Sequence, residues 1–317
     1  MMQRWGMTLL VTRMTRGSTV AAAREVMMFV PAPDHVVPLT LIPGVCYGEG
    51  QGTPLLLDMV CPQDRPPTAG PAVVWLHGGG WFGGSRVEEV SYWCALFAAH
   101  GFLAVSVDYR LSGDACFPTQ IHDVKAAIRW LRATAGQYQV DPDRIGIAGF
   151  SAGGHLAALA GLTGDRPELE GHGGSAGYSS RVQAVAVASA PSDFLRTGGA
   201  MINDAPSPVT KLFGGTVAEY QDLMQLASPV AHVTPAAPPF LIAHGTLDET
   251  VPFEQAEQLH TALATAGCAV EFIVREGAYH NWNARPDPTF PSVRYWEFGP
   301  LALAFMQKHL VDLHPRP

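Results

Sequence analysis

Apolar residues along this chain come in short, continuous runs separated by longer stretches of mixed pattern. The runs fall at residues 72–76, 102–107, 184–189 and 240–244 and in the stretch that ends at Gly149, and residues 270–275 read as the last strand. Unbroken apolar runs of this length are those of strands buried on both faces. The stretches between them carry helical spacing. In residues 118–135 the apolar positions are Ile121, Val124, Ile128 and Leu131, with Pro118 where a first helical turn accepts proline. Residues 88–100, 253–266 and 300–310 also read as helices, and Gly101 and Gly267 follow the first two as C-terminal caps. Near the start, residues 36–42 and 54–60 are β-rich with a Gly-rich turn at 48–53, which predicts an antiparallel hairpin at a sheet edge. Asp141-Pro142-Asp143 reads as a turn leading into the run that ends at Gly149. Strands alternating with helices predict an α/β fold: a mostly parallel central sheet flanked by helices.

Two stretches break the alternation. Residues 164–180 are Gly/Ser-rich and read as a surface loop. Residues 192–237 read as an insert with short helical signals at 218–226. Inserts above the C-terminal edge of such a sheet form pocket walls. The resulting organisation is an N-terminal arm over residues 1–33, mobile or a product of a misplaced start, and one domain over residues 34–317.

The chemistry concentrates where the strand pattern meets Gly149-Phe150-Ser151-Ala152-Gly153. Gly-x-Ser-x-Gly between a strand and a helix is the pattern of a tight turn that lifts one serine above a sheet. Side chains at Gly149 and Gly153 would strike the adjoining strand or helix. A nucleophilic serine needs a base, and the base needs an orienting carboxylate. The strand 240–244 runs into Gly245-Thr246-Leu247-Asp248, and the strand 270–275 runs into Tyr279-His280. Asp248 and His280 therefore fall at the same sheet edge as Ser151, with Glu249 as the competing acid. His155 stands one helical turn past Ser151 and reads as a packed residue pointing away from the attacking oxygen. His244 reads as structural, at a strand end. For the oxyanion, the N–H of Ala152 and the loop His77-Gly78-Gly79-Gly80 supply donors, with Gly79 and Gly80 favoured. Trp81, Phe150 and Trp282 adjoin these motifs and are expected to line a substrate pocket. The insert adds Phe194, Leu195, Met201, Leu212 and Phe213 to that lining.

These motifs together resemble the α/β-hydrolase superfamily, and within it the esterases with an HGGG motif. The likeness is to hormone-sensitive-lipase-like carboxylesterases and to the feruloyl/acetylxylan esterase-like group. It rests on residues 77–81, 107–111, 117–118, 149–154, 244–252 and 277–282 and runs from about residue 54 to the end. It implies a serine carboxylester hydrolase acting on short-chain or aryl esters through an acyl-enzyme, without cofactor or metal. His77-Gly78-Gly79-x-Trp81 is also similar to the kynurenine formamidase motif, which leaves an amidase as the alternative. Because the fold also hosts non-catalytic binding proteins, a binding role is the second alternative. Phe150 departs from the acidic or small polar residue that many relatives carry there. The N-terminus shows no resemblance to a lipase-like cap.

Composition narrows the picture further. Hydrophobic residues make up 47% and charged residues 15%, so a large core is available and disorder is not expected. Net charge is −8 with no basic cluster, which argues against nucleic acid as a partner. The five cysteines are scattered without a CxxC pair, which fits a reducing compartment. The apolar run at 7–11 is too short for a signal-peptide core, and no run reaches the length of a membrane helix. The chain is therefore expected to be cytoplasmic, with a small-molecule ester as its partner; oligomeric state is left open.

Overall fold

Ten strands form one sheet in the computed structural model, which describes residues 9–14, 24–28, 37–164, 166–196, 207–215, 219–282 and 297–312. The strands are β1 (Leu9–Met14), β2 (Arg24–Met28), β3 (Leu39–Gly50), β4 (Thr53–Pro62), β5 (Gly70–Leu76), β6 (Leu103–Val107), β7 (Val140–Phe150), β8 (Ala184–Ala188), β9 (Phe240–Gly245) and β10 (Val270–Arg275). Their order is β1-β2-β3-β4-β6-β5-β7-β8-β9-β10. From β6 to β10 every pairing is parallel, while β1 to β4 pair antiparallel and β4 joins β6 antiparallel. Of the arm expected over residues 1–33, the described parts are β1 and β2, a hairpin that extends the sheet edge beyond β3. The rest of that arm lies outside the described residues.

The helices are α1 (Arg86–Glu89), α2 (Ala95–Ala99), α3 (Thr119–Ala133), α4 (Ala152–Leu162), α5 (Pro208–Phe213), α6 (Gln221–Ala227), α7 (Glu254–Thr265) and α8 (Phe298–Gln307). The pleat of β5 shows why both faces need cover. Val74 and Leu76 enter one core with Ile121, Val124, Leu156 and Leu259, from α3, α4 and α7. Val73 and Trp75 enter the other with Phe97, Phe298 and Met306, from α2 and α8. Successive strand residues point to opposite faces, so a strand between two helix layers must be apolar throughout.

Three local details differ from expectation. The expected hairpin is β3 and β4; it lies inside the sheet because β2 pairs with β3, and it turns on two residues, Gln51 and Gly52, with φ of 52° and 79°. Positive φ at both positions matches the right-handed twist of the strands, so the strands run longer than the Gly-rich stretch suggests. The helix expected over 88–100 is interrupted by a π-turn at Val90–Cys94, where Trp93 stacks on Trp75 at 4.0 Å. Residues 141–143 belong to β7 as an irregularity, in which Asp141 Oδ1 accepts the Asp143 N–H.

The sheet reverses its winding between β5 and β7. The chain leaves β5 for β6 on one side, then returns past it to β7 on the other. Loops after the two strands diverge there and open a crevice at their C-terminal ends. Leu76 pairs with Gly149, so the residues that follow, His77-Gly78 and Phe150-Ser151, flank that crevice.

Candidate active site

Ser151 sits at φ 54°, ψ −120°, between β7 and α4. An L-residue holds such a backbone only when its surroundings fix it. The two glycines do this by letting backbone approach backbone. A Cβ on Gly149 would lie 2.4 Å from Gly153 O, and one on Gly153 would lie 2.2 Å from Leu76 O. Both distances are far inside contact, so the turn cannot close with any side chain at either place. Ser151 N–H donates to Ala188 O at 2.9 Å, and His155 N–H donates to Ser151 O at 2.9 Å, starting α4. Ala152 opens that helix, so its N–H belongs to the first turn, which lacks intrahelical partners.

His280 Nε2 lies 3.0 Å from Ser151 Oγ, and His280 Nδ1 lies 2.7 Å from Asp248 Oδ2. The three sequence-singled residues thus form one hydrogen-bonded chain, delivered by the ends of β7, β9 and β10. Asp248 closes a turn of its own: its Oδ1 accepts the N–H groups of Thr250 and Val251 at 2.9 and 2.8 Å. Burial pushes its carboxyl up, but hydrogen bonds from His244 and His280 outweigh this and bring the pKa down to about 2. The carboxylate is therefore ionised throughout the neutral range. Glu249 is exposed and takes no place in the chain of contacts.

The loop carrying His280 is fastened to the acid turn. Leu247 N–H donates to Ala278 O at 2.9 Å, and a Cβ on Gly245 would lie 2.3 Å from that same oxygen. Ser189 Oγ donates to His280 O at 3.2 Å and accepts from Trp282 Nε1 at 3.2 Å. Sequence reading singled out neither Ser189 nor the role of Gly245. Ser189 follows β8 directly, with φ at 49°, and its position after a strand end was the available signal.

The glycine loop after β5 is folded back on itself. Gly78 O meets His77 Nδ1 at 2.7 Å, and Gly79 O accepts from Phe82 and Gly83 N–H at 3.2 and 3.0 Å. In a planar trans peptide the N–H points opposite to the C=O. The N–H groups of Gly79 and Gly80 therefore point away from these partners. Their φ values, 110° and 58°, are glycine conformations. Gly78 packs directly beside the serine, where an added Cβ would sit 3.5 Å from Ser151 Cβ.

The three aromatic residues expected to line the pocket divide. The Phe150 ring packs 5.1 Å from the His280 ring. Trp81 and Trp282 are buried and present no open lining. Trp81 instead donates from Nε1 to His155 Nδ1 and packs on Phe194, while Trp282 braces Ser189 and Phe298. Of the apolar residues of the insert, Phe194, Leu212 and Phe213 are in the core, while Leu195 is exposed. A segment that packs its own apolar residues inward is anchored by them. Met201 lies outside the described residues. Phe82, which sequence reading passed over, is exposed beside Gly80, with Lys211 of α5 over its ring at 4.4 Å.

His244 is fully buried at the end of β9, as expected of a structural residue. Its Nε2 lies 2.9 Å from Val251 O and 3.1 Å from Asp248 Oδ2, so it reaches the acid itself. His155 behaves as a packed residue: it is fully buried, and burial lowers its pKa to about 4. Among the described residues no helix is long and apolar enough to cross a membrane.

With this geometry in view, comparison with known proteins is informative. A family model described as BD-FAE matches residues 57–263, more than half of the chain. Esterase LipC of Mycobacterium tuberculosis is 33% identical over 259 residues, covering 77% of this chain and 62% of LipC. The chain thus spans less than two thirds of that relative's length. Among solved structures, a truncated carbohydrate esterase from gut microbiota aligns with a TM-score of 0.73 at 30% identity, covering 86% of this chain and 97% of that one. A butyrate-bound thermophilic esterase, Est2 of the planctomycete Thermogutta terrifontis, aligns with a TM-score of 0.70 at 29% identity, covering 85% and 95%.

Proposed function

The chain belongs to the BD-FAE family of α/β-hydrolase carboxylesterases, and from that premise we propose that it is a serine carboxylester hydrolase using Ser151, His280 and Asp248. The observation that carries the reading is the unbroken chain from Asp248 Oδ2 through His280 to Ser151 Oγ, at 2.7 and 3.0 Å. Serine attacks only when a base removes its proton. His280 Nε2 is within reach to do so, while Nδ1–H donates to Asp248. That bond fixes the tautomer and stabilises the imidazolium formed during attack. The ester carbonyl becomes a tetrahedral oxyanion, stabilised by N–H groups of Ala152, Gly79 and Gly80. Collapse expels the alcohol, protonated by His280, and leaves an acyl-serine. Water, activated by the same histidine, then releases the acid.

The substrate reading is short-chain or aryl esters. The aromatic lining is Phe150 beside the base and Phe82 beside the glycine loop. The likeness to Est2, solved with butyrate, supports the same size of acyl group. The deciding experiment sets wild type against Ser151→Ala, on p-nitrophenyl acetate to decanoate, methyl ferulate and N-formylkynurenine. Ser151→Ala should lose about 10⁶ in kcat, as deletion of a triad nucleophile does. A kcat/KM for N-formylkynurenine tenfold above every ester would replace the esterase reading with the amidase one. An active Ser151→Ala protein would sink both.

A further inference from the structure

The histidine at the end of β9 makes contacts that burial alone does not ask for. His244 is fully buried, and its ring meets Phe253 edge-on at 5.9 Å. Val251 O is an acceptor only, so the nitrogen 2.9 Å from it, Nε2, carries the ring proton. The same nitrogen stands 3.1 Å from Asp248 Oδ2, the oxygen that His280 uses. Val251 N–H in turn donates to Asp248 Oδ1 at 2.8 Å. His244, Asp248 and Val251 thus close a ring of contacts around the carboxylate. The remaining His244 nitrogen, Nδ1, is buried with no partner among the described residues. A buried acceptor without a donor is unfavourable, and leucine or phenylalanine would fill this site without it. Among the described residues, the polar contacts of this ring are Val251 O, which closes the acid turn, and Asp248 Oδ2 itself.

Resting on the serine-hydrolase reading, we propose that His244 is a positioning residue: it holds the same Asp248 oxygen that His280 uses and tempers the charge that His280 sees. The groups that face Asp248 are His244 from β9 and His280 from the loop after β10; neighbouring Glu249 is exposed. A donor on Oδ2 withdraws electron density from the carboxylate. Removing it leaves Asp248 a stronger partner for the imidazolium, which moves the acid limb of activity to higher pH.

The test is kcat/KM against pH with p-nitrophenyl acetate for wild type, His244→Leu, His244→Asn and His244→Gln, each normalised to active sites by phosphonate titration. Ser151→Ala and Asp248→Asn run alongside. Glutamine can place its amide nitrogen where Nε2 stands; asparagine is too short. His244→Leu and His244→Asn should lose about 10- to 100-fold in kcat, the cost of a small misplacement of a reacting group. Their acid limb should move upward by roughly half a unit, while His244→Gln stays near wild type in both. A structural role alone lowers the active fraction and leaves the limb in place. An unmoved acid limb in His244→Asn, or in His244→Leu, at normal active-site titre overturns the proposal. So does a His244→Gln protein indistinguishable from His244→Asn. If His244→Leu fails to fold, the asparagine and glutamine pair decides. If Ser151→Ala or Asp248→Asn keeps full activity, the serine-hydrolase reading itself has failed, and that result is distinct from an unmoved limb.

Discussion

Trp81 Nε1 donates to His155 Nδ1 at 3.2 Å, joining the glycine loop after β5 to the helix behind Ser151. His155 donates from Nε2 to Ala227 O at 2.8 Å, which fixes its tautomer and leaves Nδ1 as the acceptor. One buried neutral imidazole thus links three pieces of the site: the loop, α4 and the end of α6. Trp81 itself has φ at 62°, a conformation that a bulky residue adopts only when held there. The Trp81–His155 bond and the packing on Phe194 supply that hold.

Trp81→Phe should therefore weaken both stability and catalysis. Phenylalanine fills most of the volume but leaves His155 Nδ1 buried and unsatisfied, at a cost of about 1–3 kcal/mol. The freed loop carries Gly79 and Gly80, so kcat should fall while KM changes little. Urea unfolding and steady-state kinetics with p-nitrophenyl acetate measure the two effects. Unchanged stability together with unchanged kcat would refute the linkage.

Asp248→Asn separates the two candidate acids. An amide in this place no longer imposes the Nδ1–H tautomer on His280, and the expected loss is about 10⁴ in kcat. Glu249→Gln, on an exposed neighbour, should change kcat by less than about twofold, as surface substitutions away from a site do. A loss on Glu249→Gln with none on Asp248→Asn would reassign the acid.

The elbow gives a sharper structural test through its glycines. Gly153→Ala would drive a Cβ to 2.2 Å from Leu76 O, and backbone on both sides leaves it nowhere to go. The turn can then form only by distorting, and the variant should lose more than about 3 kcal/mol or fail to fold. Gly113→Ala is the control. Nothing lies within 4 Å of its added Cβ, so it should be neutral or stabilising by up to about 1 kcal/mol through the unfolded chain. Equal effects of the two substitutions in thermal unfolding would contradict the close-approach account.

What could be read from the chain, and what could not, follows from the range of each interaction. Ser151, Asp248 and His280 stand at strand ends, and the order of strands and helices is local information, so their common edge was legible. The glycines around Ser151 were legible for the same reason: their need is set by the turn they occupy. The role of Trp81 was not. Its partners, His155 and Phe194, lie 74 and 113 positions away in sequence, and proximity to a motif cannot distinguish a residue that lines a cleft from one that braces it. His244 was legible as a buried strand-end residue, but not as a neighbour of the acid. Its bond to Val251 crosses a turn whose geometry depends on Asp248, and sequence spacing does not show that closure. The π-turn at Val90–Cys94 was hidden because its cause is long-range, the stacking of Trp93 on Trp75 from β5.

That stack encloses a strongly perturbed carboxyl outside the site. Glu89 is buried against it, with Oε2 accepting from Trp75 Nε1 at 3.2 Å. Burial raises its carboxyl from the ordinary 4.5 to about 7, partly opposed by the Trp75 bond. In the unfolded chain the same carboxyl releases its proton near the ordinary value. Between these two pH values the folded state holds more protons than the unfolded one, so stability falls as pH rises through the window. Above about pH 7 both states are ionised and the full cost of the buried charge remains. Glu89→Gln keeps an oxygen that can accept from Trp75 and removes the ionisation. The variant should match wild type near pH 4.5 and exceed it by about 2–3 kcal/mol at pH 8. Tryptophan fluorescence reads the same event, because Trp75 and Trp93 border the carboxylate: wild type should show a transition near neutral pH that Glu89→Gln lacks. A stability difference that stays constant from pH 4.5 to pH 8 would place the ionisation of Glu89 elsewhere.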